Sequence, residues 1–373
     1  MKYGLFTIST FDLIPICRHI TAFWCNDDGN TIEMAQCSVA NTMTYHKRVK
    51  EFSIGQFSSR EEINKQSFAF KVLKYIRFIY YLFRFQFKYR SSVLYAIDLS
   101  TLNLIFLSRI LFFYNKNKII YHQFEIVNPD NLSIFGKLNL MLFKLQRKNL
   151  DLFISPEANR LDYFCRISGY SIDNTLMFPN TTTTAKFNGI VQYPDDVITI
   201  AHVGIAGENH YIGQLMEIIK EVIPERKFRI LFIGYLPDKV KKMIESSGIS
   251  NFEIIGDIPH KELQEYYKEI DIGLILYKDI DLNYKYCAPN KLYEYWSNGI
   301  LVIAHKLIGL VPLFDEKTLG LLCDMERKEE FKEVLLSTIN NFSRQNRANL
   351  IEVFKSKYSI ENYLSEFSGR IAG

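Results

Sequence analysis

A proline, a lysine and a glutamate at the start of one predicted helix have the spacing of an anion site with a hydroxyl-binding group behind it. The segment Ala288 to Ala304 reads APNKLYEYWSNGILVIA. Pro289 suits the first position of a helix, where its missing N–H costs nothing. The first N–H groups of that helix favour a phosphate, and Lys291 adds a full positive charge. Glu294, about one turn later, has acceptor sites for two neighbouring hydroxyls, such as those of a ribose.

The elements around this segment alternate between strand and helix. Because such alternation is typical of a parallel, doubly wound sheet, ligands are expected at the carboxyl ends of its strands. The loops there are rich in small or polar residues: 204–207, 234, 256–257 and 277–288. The predicted strands are 197–203, 228–233, 252–255, 271–276 and 300–304, and the predicted helices are 212–222, 237–246, 260–268 and 290–297.

The first half of the chain repeats the alternation less regularly. Its predicted strands are 3–9, 92–97, 118–122, 151–154 and 175–178, and its predicted helices are 61–90, 99–113, 135–149 and 156–167. A threonine-rich stretch, Thr181 to Gly189, has the composition of a linker. We therefore expect an N-terminal Rossmann-like domain over 1–185, a second over 186–350, and a tail of two helices from about 326.

The sequence Pro289-Asn290-Lys291-Leu292-Tyr293-Glu294-Tyr295 resembles the donor-binding motif of GT-B glycosyltransferases. It is most similar to the retaining family 4 or group 1 enzymes of bacterial polysaccharide synthesis, which build capsule or O-antigen. The resemblance covers most of 198–304 and, more loosely, 93–180. It implies two Rossmann-like domains that face each other across a cleft, with residues 351–373 returning to the N-terminal domain. Taken alone, the same residues also fit an ordinary helix start with a solvated glutamate.

The resemblance implies a set of donor-binding residues. His210 stands in a glycine-rich loop where the family often has an arginine, and a neutral imidazole still donates one hydrogen bond. Gly204 either admits a phosphate or simply allows a turn. Ile258 is expected to shape a slot for the base, whereas Asp257 and His260 either line the loop or cap the next helix. The donor-binding set is Gly204, His210, Gly234, Ile258, Asn283, Tyr284, Pro289, Asn290, Lys291, Leu292 and Glu294.

Two departures from the family pattern concern the sugar. The catalytic candidates are Lys291, Glu125 and His122, but Phe124 occupies the usual histidine position of that segment. His122 therefore either reaches the donor sugar or satisfies a loop carbonyl. Eight residues before Glu294, relatives usually have a second acid, and this chain has Tyr286. Asn283, Tyr284 and backbone amides are the remaining candidates for the sugar hydroxyls.

The stretch 71–90 contains no acidic residue and many aromatic ones. At helical spacing its cations fall on one face, as a helix lying on anionic lipid would require. A buried helix with one basic solvated stripe is the alternative. The expected membrane-side and acceptor-side residues are Lys71, Lys74, Arg77, Arg84 and Lys88.

Composition limits the other function classes. The net charge of +4 over 373 residues does not indicate a nucleic-acid binder. Six cysteines without C-x-x-C or zinc spacing predict reduced thiols, no metal site and a cytoplasmic protein. No stretch is long and apolar enough for a membrane span. The first strand is not followed by the glycine fingerprint of a nicotinamide dehydrogenase, and no carboxylate pair of hydrolase type is evident.

The sequence thus predicts a metal-independent, retaining hexosyltransferase without a cofactor. Its donor is a nucleotide sugar, UDP-hexose or UDP-HexNAc, and its acceptor is a lipid-linked glycan or oligosaccharide at the inner face of the cell membrane. The alternatives are a sugar-nucleotide 2-epimerase on the same fold and a catalytically silent scaffold subunit.

Overall fold

The computed structural model of the chain describes residues 1–9, 11, 14–37, 45–54, 67–111, 117–184, 197–221, 227–314 and 318–372. These residues form two compact units, Met1–Asn180 together with Tyr363–Gly373, and Thr181–Asn362. Part of the predicted linker, 185–189, and the first part of the predicted helix 61–90, residues 61–66, lie outside the described ranges.

The first unit is built on a seven-stranded sheet in which neighbouring strands are parallel. Its strands are β1 (Lys2–Thr7), β2 (Thr31–Gln36), β3 (Val49–Ser53), β4 (Val93–Ala96), β5 (Lys118–His122), β6 (Leu152–Ser155) and β7 (Thr175–Met177). Their order is β3-β2-β1-β4-β5-β6-β7, so the direction of winding changes between β1 and β4. In a doubly wound sheet this is the point where a crevice opens at the carboxyl ends.

Helices cover this sheet through large apolar side chains. They are α1 (Ile16–Trp24), α2 (Phe68–Lys88), α3 (Leu99–Leu111), α4 (Ile134–Gln146) and α5 (Ala158–Ser168). Phe78 of α2, Phe106 of α3 and Phe143 of α4 lie in one buried cluster. Because all three helices insert an aromatic ring into the same core, their opposite sides point away from it.

The second unit contains a six-stranded sheet, also parallel between neighbours. Its strands are β8 (Val197–Val203), β9 (Lys227–Ile233), β10 (Phe252–Gly256), β11 (Ile272–Ile275), β12 (Leu301–His305) and β13 (Gly320–Cys323), in the order β10-β9-β8-β11-β12-β13. Its helices are α6 (Ile212–Glu221), α7 (Asp238–Glu245), α8 (His260–Tyr267), α9 (Leu282–Lys285), α10 (Asn290–Ser297), α11 (Lys328–Asn341) and α12 (Arg347–Lys357). The direction of winding changes between β8 and β11.

A final helix, α13 (Glu361–Ala372), belongs mostly to the first unit. The ring of Phe367 is fully buried and lies 4.9 Å from Phe178 and 6.2 Å from Trp24, centroid to centroid. The Lys118 ammonium donates to the carbonyl oxygens of Arg370 and Ile371, at 2.8 and 3.0 Å. These bonds satisfy two carbonyls at the helix end that have no intrahelical partner.

The fold class predicted from the sequence, two doubly wound α/β domains, is confirmed. The prediction of two helices in the tail is wrong, because α11, α12 and α13 are separate. Between the first two, the backbone of Phe342 is extended (φ −65°, ψ 136°), and the Arg344 guanidinium bonds the Asp271 carboxylate at 2.7 Å. Elements that the sequence reading missed are α1, β2, β3, α9 and β13. Among the described residues, the helices all lack the combination of length and apolarity that crossing a membrane requires. None of the six cysteines, all of them among the described residues, forms a disulfide.

Candidate functional site

Glycines join the carboxyl ends of the central strands of the second unit. Gly204 follows β8 with φ 97°, and Gly234 follows β9 with φ 124°, both in the region that favours glycine. A Cβ on Gly234 would lie 2.4 Å from the Gly204 carbonyl oxygen, whereas a Cβ on Gly204 would meet no atom within 4 Å. Gly234 is therefore required for backbone packing. Gly204 is required by its own conformation, and it leaves open space at the end of β8.

Helix α10 begins at Asn290, as the sequence predicts, but Pro289 is not in its first position: it precedes the helix with extended backbone (φ −76°, ψ 130°). Pro289 forms no side-chain cap, so the N–H groups of the first turn are not covered by the preceding side chain. The positive end of the helix dipole adds to their preference for an anion. Leu292, predicted as a donor-binding residue, is fully buried and supports the helix from the core side.

Lys291 points from this first turn towards the end of β8. Its ammonium donates to the Val203 carbonyl oxygen at 3.1 Å and lies 4.6 Å from the centre of the Tyr277 ring. The residue is only 8% exposed. Burial lowers the pKa of Lys291 to about 7, and Cys287 and Glu294 oppose that shift. A charge that has lost its water in this way gains strongly from an anionic partner.

His210 supplies a second hydrogen-bond donor near the same strand end. Its Nδ1 accepts the Gly207 N–H at 3.1 Å, so the ring proton is assigned to Nε2. That Nε2 is buried and makes no hydrogen bond to any residue that the structure describes. Burial, together with the positive charge of Lys291, lowers the pKa of His210 to about 3. His210 is therefore a neutral imidazole that donates through Nε2.

Aromatic rings surround this imidazole. Tyr277 lies 5.1 Å from His210 and 5.3 Å from Tyr284, and the backbones of His210 and Tyr277 form an isolated antiparallel bridge. The N–H groups of Asn283 and Tyr284 both donate to the Asp281 carboxylate, at 2.7 and 3.0 Å. These two amides are thus engaged in capping α9. The side chains remain the groups by which Asn283 and Tyr284 could contact a sugar.

Glu294 is held by a buried phenol. The hydroxyl of Tyr267 donates to Glu294 Oε2 at 2.6 Å, and burial raises the pKa of Tyr267 well above its usual value. Glu294 itself is half-buried, one helical turn beyond Lys291. Since each carboxylate oxygen has more than one acceptor site, a carboxylate oriented in this way can still accept from a diol.

The loop after β10 also differs in part from expectation. Ile258 is half-buried and packs against the core cluster that contains α10, which agrees with a role in shape. Helix α8 has Pro259 in the position before its first residue, so neither Asp257 nor His260 is its N-cap. The capping alternative for these two residues is therefore wrong. Asp257 is exposed, and the side chain of His260 lies outside the described part of the structure.

Comparison with known proteins identifies the second unit. Residues 197–341 match the protein family described as "Glycosyl transferases group 1". This part of the chain is a group 1 glycosyltransferase domain. Its helix α10 and the loops after β8, β9 and β10 are the elements described above. No curated protein matches the chain at a significant level.

Solved structures share the fold over the whole length. A lipopolysaccharide outer core galactosyltransferase, WaaB, in its apo form is 13% identical with a TM-score of 0.67, and the match covers 99% of this chain and 100% of that one. HepE from Anabaena, in complex with UDP and glucose, is 13% identical with a TM-score of 0.70, covering 100% and 99%. Sucrose-phosphate synthase from Thermosynechococcus elongatus gives the same identity, TM-score and coverage. This chain therefore has the GT-B fold.

The catalytic candidates of the first unit lie at the end of β5. His122 is fully buried, with Nδ1 2.5 Å from the Tyr95 hydroxyl, and burial lowers its pKa to about 3. The loop carbonyl of Phe124 is bonded instead by Arg160, at 2.7 Å. The alternative in which His122 satisfies a loop carbonyl is therefore wrong. Within the described ranges the Nε2 of His122 has no hydrogen-bond partner, and Glu125 is exposed.

The predicted basic stripe of α2 needs correction at Lys74, which is buried at 8% exposure. Four residues further on, Phe78 is in the core, so position 74 lies on the core-facing side of the helix. Arg77 and Arg84 are exposed. Lys88 is exposed and pairs with Glu33 at 3.2 Å. The side chain of Lys71 lies outside the described residues.

Sequence reasoning missed three side chains that complete this arrangement: Tyr267, Tyr277 and Asp281. The first two act through tertiary contacts with Glu294, His210 and Lys291. Asp281, which precedes Leu282 at the start of α9, could have been recognised as a helix cap. Across the described ranges, no three His, Cys, Asp or Glu side chains are grouped so that they could hold a metal ion.

Proposed function

We propose that this protein transfers a hexose-type sugar from a nucleotide diphosphate, UDP-hexose or UDP-HexNAc, to a lipid-linked glycan acceptor, with retention at the anomeric carbon. One observation carries the proposal. The ammonium of Lys291 and the Nε2–H of His210 are both buried, both near the end of β8, and lie beside the uncapped start of α10. Donors of this kind suit a diphosphate better than a neutral ligand.

Such a site would promote the reaction by stabilising negative charge on the leaving diphosphate. As the bond between the anomeric carbon and the diphosphate breaks, negative charge grows on the departing phosphate oxygens. Lys291 in its protonated form, the His210 N–H and the α10 amides would stabilise that charge, and they are oriented before the reaction begins. Glu294, oriented by Tyr267, would hold the ribose hydroxyls and so set the position of the phosphates. We propose that the enzyme needs no metal and no cofactor.

Two similarities support the choice of donor. HepE, which shares the fold, is described in complexes with UDP and with UDP-glucose, and WaaB is named as a galactosyltransferase. The lipid-linked acceptor, cell-surface polysaccharide synthesis and a location at the inner face of the membrane are parts of the same proposal. Exposed Arg77 and Arg84 on α2 suit an anionic membrane surface.

The test is release of UDP from radiolabelled UDP-sugars in the presence and absence of extracted membrane lipids. We expect release to depend on the lipid fraction, with label moving into it, and the product's anomeric configuration to match the donor's by NMR. Lys291→Ala should remove turnover, whereas Lys241→Ala, which changes an exposed lysine of α7, should not. Isomerised donor without transfer would indicate an epimerase. Neither product, despite tight UDP binding, would indicate a scaffold and refute the proposal.

A further inference from the structure

Helix α4 exposes its apolar side. Ile134, Leu138, Met141 and Leu145 follow one another at four-, three- and four-residue steps, so they form a single stripe. Ile134 is 90% exposed and Leu145 is 74% exposed, and Phe135 beside them is also exposed. A helix that only covered the core would show polar residues here.

The stripe is opposite the side by which α4 packs. Asn139, Leu140 and Phe143 are buried, and Asn103 of α3 donates to both the carbonyl oxygen and the side-chain oxygen of Asn139, at 2.8 and 2.9 Å. The polar contacts that fix the helix are therefore on its inner side. Among the residues that the structure describes, the exposed apolar stripe therefore lies outside the core of this unit.

Two neighbouring helices extend the exposed apolar surface. Helix α3 lies against α4 through the stacked rings of Phe106 and Phe143, 6.3 Å apart, and exposes Leu107 and Ile110. Helix α2 contacts α3 through the Gln86 side chain, which donates to the Ser108 hydroxyl. The exposed apolar residues of α2 are Val72, Leu73, Tyr75, Ile76, Tyr80 and Phe87.

The charge of this surface has one sign. The sequences of α2, α3 and α4 contain no aspartate and no glutamate. Lys137 and Lys144 are exposed on α4 at seven-residue spacing, so they run alongside the apolar stripe, and Lys148 continues their row. Arg77 and Arg84 are exposed on α2.

This charge distribution decides between two possible partners. A second copy of the chain, related by a two-fold axis, would place the same cations against each other. An anionic lipid surface would instead take the apolar side chains among its acyl chains and the cations at its headgroups. Single exposed apolar residues are common on soluble proteins, but a contiguous face rimmed by cations indicates an interaction site.

We propose that the face formed by α2, α3 and α4 docks on an anionic membrane, with the stripe Ile134, Leu138, Met141 and Leu145 inserted among the lipid chains. The docking rests on the proposed function in one respect: it would bring the active site to a lipid-linked acceptor, which lies in the bilayer. It differs from a purely electrostatic contact of α2, since apolar insertion by α4 survives high salt in part. The contact is therefore made by α2, α3 and α4, and the side chains of the α4 stripe reach the acyl chains.

The main test uses the full chain and the triple variant Ile134→Gln, Leu138→Gln and Leu145→Gln. Glutamine keeps helix propensity, and the three side chains are exposed, so folding should be unaffected. We expect partitioning onto vesicles of phosphatidylglycerol and phosphatidylcholine to fall by roughly 100-fold. The matched control Ile172→Gln, Met177→Gln and Met243→Gln changes exposed apolar residues on other elements and should partition as the unaltered chain does. Equal pelleting of both triple variants would overturn the proposal.

Three further measurements separate the alternatives. Lys137→Gln with Lys144→Gln should lower binding to anionic vesicles by roughly 30-fold at low salt and leave the weak binding to neutral vesicles unchanged. A tryptophan at Leu145 (Leu145→Trp) should be quenched by brominated acyl chains, and no quenching would overturn insertion. A concentration-dependent dimer that the apolar triple variant abolishes, without vesicle binding by the unaltered chain, would assign the face to a second copy instead.

UDP affinity is measured for every variant, because it reports on the proposed function and not on docking. Unchanged UDP affinity with lost vesicle binding supports the docking face. Vesicle binding that depends on the stripe in a chain that shows no UDP affinity would leave the docking face intact and refute the proposed donor.

Discussion

Lys291 is almost completely buried and lies at the start of a helix. Its pKa should therefore change when an anionic ligand binds there. In the ligand-free protein, burial lowers the pKa to about 7, while the unfolded chain keeps a value of about 10.4. Between these values the unfolded state binds the proton and the folded state does not, so the contribution of Lys291 to stability rises with pH across that window. Below pH 7 the cost of burying the charge is present in full.

A bound diphosphate should reverse this shift. We expect UDP binding at pH 8 to be accompanied by uptake of up to one proton, because an anion beside Nζ favours the ammonium form. UDP phosphates are themselves fully ionised at that pH, and the neighbouring His202 and His210 have lowered pKa values and stay neutral. Calorimetry in two buffers of different ionisation enthalpy measures the uptake. Lys291→Met should lose it, and an identical uptake in that variant would assign the proton elsewhere.

Glu294 and Tyr267 form a pair whose separate effects can be measured. Glu294→Ala should weaken uridine and UDP binding alike, by about 1.5 to 3 kcal/mol, since hydrogen bonds from the ribose to a charged acceptor are lost. Tyr267→Phe should weaken both ligands by a smaller amount, because the carboxylate stays but is no longer oriented by the 2.6 Å bond.

Tyr266→Phe is the control for the second change, since Tyr266 is the adjacent half-buried tyrosine of the same helix. Isothermal titration with both ligands measures the effects. A folded Glu294→Ala protein with full uridine affinity would remove Glu294 from the ribose site.

Part of this residue-scale arrangement could be predicted from the sequence. The helix start at Pro289-Asn290-Lys291 and the turn to Glu294 are local, so spacing was sufficient. The Tyr267 bond joins residues 27 positions apart, and the Lys291 contact with Val203 joins residues 88 positions apart. Such contacts depend on which strands become neighbours, and no local pattern contains that information.

At the scale of elements, α2 shows where periodicity is sufficient and where it fails. Helical spacing predicted the helix and its cations. It did not distinguish the side that faces the core, because aromatic residues occur all around this helix and the long stem of a lysine can be buried. Lys74 was therefore assigned to the surface, although it shares the core-facing side with Phe78 and Leu82.

The exposed cations of α2 should contribute to membrane binding through charge alone. Arg77→Gln with Arg84→Gln is expected to weaken binding to anionic vesicles by roughly 30-fold at low salt, from about 1 kcal/mol for each cation near the surface. The loss should shrink as salt is raised. Lys241→Gln with Lys355→Gln, two exposed lysines of the second unit, is the control. Co-sedimentation that is equal for both pairs would contradict a role for α2.

Two of the missed strands, β2 and β3, share a physical reason. β2 reads TIEMAQ and buries Glu33, whose carboxylate is satisfied by Lys88 and the Tyr89 hydroxyl at 3.2 and 3.0 Å. β3 reads VKEFS and lies at the sheet edge. A charged residue within a short run reads as a loop unless its partner is known. In the second unit, regular alternation with helices identifies β9 and β10 as strands although they contain Arg229 and Glu253. β13, which reads GLLC, is missed although it contains no charge.

For the whole molecule, strand and helix alternation was sufficient to predict two doubly wound sheets, because that pattern has few other packing solutions. The order of strands within each sheet was not predicted, since it depends on crossovers between distant segments.

The charge arrangement of the second unit leads to a prediction about metals. Activity should persist in excess chelator, because Lys291, His210 and the α10 amides are proposed to stabilise the leaving diphosphate. Initial rates of UDP release with chelator, with magnesium and with manganese measure this. Rates that vanish with chelator and return only with a divalent ion would refute the assignment.

The first unit is assembled from two segments that are far apart in the chain, and this affects synthesis on the ribosome. Residues up to Asn180 emerge early, yet Phe367 of α13, which packs against Trp24 and Phe178, is translated only after the whole second unit. Domains generally fold in the order of their synthesis. Here the second unit can finish first, while the first unit waits with an uncovered aromatic surface. We expect stalled chains that end before Glu361 to be cut by protease within the first unit sooner than within the second, and the reverse order of cleavage would contradict this.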